Sequence, residues 1–141
     1  MDTLISEQMA NDVIQLIDKH PNNARIAYQF IRRVVDDPKH EKNGQEHPAV
    51  CLIRKDDYWY IGGCEEDLVG HYGQTDPSFW YKAKNKVMKF ICRDIFIDYY
   101  LDGAADIIRD ASYNGKLFEH KKRTNSWSKD CLLYTSPSPR D

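Results

Sequence analysis

The sequence predicts an α+β fold, on three observations. Apolar residues recur at helical spacing near the N-terminus. A cluster of β-branched and aromatic residues follows between positions 49 and 62. Beyond Asp76-Pro77 a long aromatic segment again carries helical spacing. The expected architecture is an N-terminal helical hairpin, a central β-hairpin with a possible third strand, and then a long and a short C-terminal helix.

The first helix is expected over residues 3–19. Asp2 or Thr3 caps it, and Ile5, Met9, Val13, Leu16 and Ile17 form its apolar face. His20-Pro21-Asn22-Asn23 breaks the pattern. A second helix is expected over residues 24–36, with Ala27, Phe30, Ile31, Val34 and Val35 on one face and Arg25, Arg32 and Arg33 off it. Asp37-Pro38 ends it, because the residue before a proline disfavours helical dihedrals.

Residues 38–47 carry no apolar side chain except the proline ring and read as an exposed loop. Residues 49–55 and 58–62 then read as a hairpin turning at Asp56-Asp57, which sets Ile53 against Tyr60 and Leu52 against Ile61. A two-stranded hairpin alone is marginal in water, so it must lie on the helices or pair with a further strand, for which residues 68–72 are the candidate. Thr75-Asp76-Pro77 is a helix start, with Asp76 as cap and proline in the first turn. That helix is expected to run through Leu101, with Gly103 as its stop. A last helix is expected over 104–113, ended by Asn114-Gly115. Residues 116–130 are polar and basic and carry no clear element.

Residues 131–141, Cys-Leu-Leu-Tyr-Thr-Ser-Pro-Ser-Pro-Arg-Asp, resemble the in-frame translation of a transposase-based sequencing adapter, residue for residue. They are read as a non-native tail and set aside from the fold. The expected domain is residues 1–130, a single α+β unit truncated at its C-terminus. A phage or mobile-element source is an expectation from that provenance, not from chemistry.

Of the 141 residues, 41% are hydrophobic and 30% charged, a globular rather than disordered balance. The net charge of −2 neither requires nor excludes nucleic acid, so only a local patch could carry that case. Cys51, Cys64 and Cys92 lack C-x-x-C spacing and read as reduced, buried thiols. No apolar run approaches the ~18 residues of a membrane helix. A cytoplasmic protein is expected, its oligomeric state open.

Two constellations suggest function. On a helix over 77–101, Lys82, Lys86, Lys89 and Arg93 form one stripe, Trp80, Ala83, Val87 and Ile91 line roughly the opposite side, and Phe79, Trp80 and Tyr81 offer nearby stacking surfaces. Four cations at that spacing could track phosphates while aromatic faces stack on bases. The plainer reading is a solvated helix face. The stripe gains weight if Lys121, Lys122 and Arg123 fold onto its side. Alternatively, Asp94 and Asp98 stand one helical turn apart and, with Glu65 and Glu66, could hold Mg²⁺ for nucleotide or phosphoester chemistry. Cys64 with His71 is the best placed thiol–base pair, though no local signature surrounds it. His40 and His47 could share a metal, but seven residues of loop provide no fixed geometry. The expected function is therefore a non-catalytic binding protein for nucleic acid or a protein partner, through Trp80, Lys82, Lys86, Lys89 and Arg93. It needs no cofactor; Mg²⁺ enters only with the enzyme alternative.

Overall fold

The computed structural model describes residues 3–4, 7–21, 23–101 and 109–128. The fold is α+β. In chain order it comprises β1 (Thr3–Leu4), α1 (Glu7–Asp18), β2 (Ile26–Val34), β3 (Glu46–Ile53) and α2 (Lys55–Ile61). A 3₁₀ turn (Glu66–Leu68), α3 (Thr75–Ala83), β4 (Met88–Tyr99) and α4 (Ser112–Thr124) follow. The described residues fall into two compact units: one from residues 3–54 and 88–101, the other from residues 55–87 and 109–128. Among the described residues no helix is long and apolar enough to cross a membrane. The adapter-like tail and residues 102–108, where the last helix was expected to begin, lie outside the described residues.

The first unit is built on a four-stranded sheet in the order β1-β4-β2-β3. β2 runs parallel to β4 and antiparallel to β3. Residues 24–36 are thus not the second helix of a hairpin; most of them form this central strand. Six consecutive residues, Ile26 to Ile31, are buried. A strand covered on both faces loses the two-residue alternation that identifies strands. The spacing of Ala27, Phe30, Ile31 and Val34 then imitates a helix.

β3 replaces the first arm of the expected hairpin, but its partner is β2, with Tyr28 opposite Leu52 and Gln29 opposite Cys51. Asp56-Asp57 is no turn. It lies in the first turn of α2, where carboxylates favour the positive end of the helix dipole. The pairs Ile53–Tyr60 and Leu52–Ile61 therefore do not form, and Leu68 closes the 3₁₀ turn instead of a third strand.

The long helix over 77–101 is also absent. Its start is real: α3 carries Asp76 in its first turn. After Ala83 the chain turns and enters β4. Cys92 pairs with Phe30 and the next pair is Ile31 with Phe96, so Arg93, Asp94 and Ile95 bulge out of register. The bulge puts a three-residue step between buried Cys92 and Ile95 in a strand that otherwise steps by two through Ile97 and Tyr99. That step reads as helical. β3 slips at the same level of β2, between Gln29 and Ile31, and the Gln29 amide bridges the gap by donating to the His47 carbonyl at 2.9 Å. His47 is consequently buried rather than in an exposed loop. Asn114-Gly115 lies inside α4, which also takes in residues 116–124.

The core of this unit joins Met9 of α1 to Ile26, Tyr28, Phe30, Cys92, Ile95 and Ile97, with Val13 and Leu16 packed against it. The His20 ring sits edge-on to Tyr28 and Phe90, and its Nδ1 lies 3.1 Å from the Leu16 carbonyl. Cys51, Cys64 and Cys92 are free thiols, but only Cys92 is buried; Cys64 is exposed, against expectation. Burial pushes the Cys92 thiol up to about 11.

Replacing Phe30, 2% exposed, with alanine is expected to cost about 3–5 kcal/mol, measured by urea denaturation. Since the thiolate is the reactive form, native alkylation followed by peptide mapping is expected to label Cys64 and to label Cys92 only after unfolding.

Candidate ligand-binding cleft

The second unit places most of the chemistry. α2 has two turns, so its last carbonyls need partners from elsewhere. Lys86 Nζ donates to the carbonyls of Tyr60 (3.3 Å) and Ile61 (2.9 Å), and Lys82 Nζ donates to that of Gly62 (3.0 Å). Cations at a helix C-terminus also oppose its negative dipole end. The chain reverses at Gly62 and Gly63, both with positive φ. A side chain at Gly63 would press on the Tyr58 ring, 3.2 Å from the nearest carbon.

Next comes Glu65, whose side chain is fully buried. It accepts hydrogen bonds from Ser128 Oγ (2.6 Å) and the Ser128 amide (3.1 and 3.3 Å). Lys121 Nζ lies 2.9 Å from one carboxylate oxygen and Lys82 Nζ 3.5 Å from the other. Lys121 also reaches Asp67 (2.6 Å) and donates to the Ser126 carbonyl (2.9 Å). Burial alone would raise the pKa of Glu65. The bonds from Lys121 and Ser128, with the Lys82 charge, outweigh it and hold the carboxyl below its ordinary value. For Lys82 burial dominates, and its pKa is lowered despite Glu65.

Beside this cluster opens a cleft of about 630 Å³. Trp59 and Tyr60 of α2, Tyr81 of α3 and Trp127 supply its rings. Lys82, Lys84 and Lys86 supply charge, and Asn85 and Asn125 supply amides. No aspartate or glutamate is among the described residues that line it. Trp59, Tyr60 and Tyr81 are 38%, 51% and 43% exposed, with Lys86 Nζ over the Tyr60 ring at 5.7 Å and Lys122 Nζ over that of Tyr81 at 5.8 Å. Tyr81 also meets Trp127 at 5.4 Å and Phe118 at 6.0 Å between centroids.

Of the basic stripe expected from the sequence, Lys82 and Lys86 line this cleft, but not as members of one helix face. Trp80 is half-buried and edge-on to Phe79 rather than in the cleft wall. Lys89 sits on β4 and pairs with Glu46. Arg93 is exposed in the β4 bulge. Lys121 joins Lys82 through their shared carboxylate, and Lys122 lies over the Phe118 ring. The rings of Trp59, Tyr60, Tyr81 and Trp127 escaped the sequence reading as a group because three separate segments carry them.

The Mg²⁺ alternative loses its geometry. Asp94 and Asp98 lie on a strand rather than on adjacent helical turns. Asp98 accepts from Arg33 Nε at 2.6 Å. Glu65 is occupied by lysines and Ser128, while Glu66 opens the 3₁₀ turn. Among the described residues no three His, Cys, Asp or Glu side chains are placed to hold a metal. Of the Cys64–His71 pair, Cys64 is exposed with its amide donating to the Tyr58 hydroxyl, and the His71 ring stacks on Tyr113. His40 and His47 each accept a local amide at Nδ1.

Comparison of the chain with family models, with curated proteins and with solved structures gives no match.

Glu65→Gln is expected to lower stability at neutral pH by about 3–5 kcal/mol, because it leaves the buried Lys82 ammonium without a carboxylate. The folded-state pKa of Glu65 is depressed, so its contribution is present above the unfolded glutamate pKa and lost as pH falls through the folded one. Denaturation curves should therefore show wild-type stability declining below about pH 4.3, with a shallower decline in the variant.

Proposed function

We propose that this chain is a non-catalytic binding protein and that the cleft of its second unit takes a single-stranded nucleic acid. The carrying observation is the joint presence of partly exposed aromatic rings and lysines, without a carboxylate among the described residues of the wall. A single strand offers both complements at once: phosphates for the ammonium groups and unstacked bases for the rings. A duplex conceals its base faces, and a protein partner would be expected to bring more neutralising contacts than stacking ones. Main-chain carbonyls hold Lys86 in place, so its charge is prepositioned without a counter-ion in those contacts. The volume falls within the ~300–1,000 Å³ typical of ligand clefts.

The test is titration with oligothymidylate, followed by tryptophan quenching, at several salt concentrations. With two exposed lysine contacts, from Lys84 and Lys86, log K is expected to fall with log salt at a slope of about −1.4. Lys84→Ala should reduce that slope by about 0.7. Trp59→Ala should cost about 1–3 kcal/mol of binding while leaving the slope intact. A partner whose binding ignores salt would contradict this assignment and favour a protein.

A further inference from the structure

Glu65 is absent from the cleft wall, yet it contacts what builds it. We infer that Glu65 is the positioning residue of the cleft, holding the Trp127–Ser128 wall as a clasp and the Lys82 ammonium at the floor. The inference rests on the cleft being the binding site.

Residues 125–128 follow the end of α4, where Asn125 takes a left-handed conformation and turns the chain. No regular element holds this stretch. Side chains hold it: Ser128 through its amide and hydroxyl on Glu65, and Ser126 through its carbonyl on Lys121. Trp127 lies between these two anchors and offers its ring to the cleft. The same carboxylate compensates both Lys82 and Lys121, whose side chains are 3% and 5% exposed. Asp67 provides a second, solvent-facing carboxylate to Lys121, whereas Lys82 otherwise donates to the Gly62 carbonyl. Removing the Glu65 charge would leave two buried ammonium groups facing one neutral group and would deprive Ser128 of its acceptor. The wall and the floor then loosen together.

Trp127 can be followed alone, because the chain contains three tryptophans and Trp59→Phe with Trp80→Phe leaves only this one. In that background, without nucleic acid, Glu65→Gln should raise acrylamide quenching of Trp127 toward that of an exposed indole, with helical circular dichroism retained. In the three-tryptophan protein the same substitution should weaken oligothymidylate binding about tenfold, as loss of an outer-shell partner does at other sites. Glu65→Asp, which keeps the charge, should restore much of the affinity. Should Glu65→Gln fail to fold, Ser128→Ala removes one hydroxyl donor and leaves every charge; it should still raise Trp127 quenching. Folded variants with unchanged Trp127 quenching and unchanged affinity would overturn the clasp and reduce Glu65 to a structural ion pair. Loosening of Trp127 in a protein whose parent does not bind oligothymidylate would overturn the nucleic-acid reading and leave the clasp supported.

Discussion

A carboxylate shut away from water must be neutralised where it stands, and the second unit is organised around meeting that requirement at Glu65. Four pieces of chain converge on it: its own loop, Lys82 of α3, Lys121 of α4, and Ser128. Buried ion pairs contribute little net stability compared with well-packed apolar groups, but breaking one is costly. Their value here is geometric, because a wrong arrangement strands a charge. Asn114 works the same way without charge. It is fully buried inside α4, and its amide nitrogen lies within 3.0 Å of the carbonyls of Leu68, His71 and Gly73. A loop with few apolar side chains is thereby tied to a helix by polar contacts.

The first unit follows another logic. Its centre is β2, flanked on both sides, and its cohesion is largely apolar. The two neighbouring strands slip beside the same short stretch of β2, between Gln29 and Ile31. Above and below that level the register is regular. Bulges of this kind increase local twist and bend a sheet, and here they also let Ile95 turn inward onto Phe30's side of the core.

These two logics explain what was legible in the sequence. The α+β class, most of α1 and the start of α3 rest on local signals and were readable. β2 was not, because full burial removes its alternation. β4 was not, because the bulge at Arg93–Ile95 replaces a two-residue step with three. α2 does not read as a helix because Tyr58, Trp59 and Tyr60 favour strands in isolation, whereas the helix is closed by lysines 20 to 26 positions away. Lys82 and Lys86 both line the cleft, although the helical period that groups them in the sequence ends at Ala83. Glu65 drew notice as a metal ligand. Its actual partners include Ser128, 63 positions along the chain, a relation that no local pattern announces.

The order in which the sheet is written along the chain has a consequence for synthesis. β2 and β3 are complete by residue 53, but β4, which pairs with β2 over nine positions, begins at Met88. The intervening residues belong to the other unit. On the ribosome, then, the long apolar flank of β2 waits with its hydrogen-bonding groups unpaired while more than thirty further residues are polymerised. Such delayed, non-local pairing slows folding and leaves an edge open to association with other nascent chains. The sheet of the first unit therefore closes only after the residues of the second unit between β3 and β4 have been made.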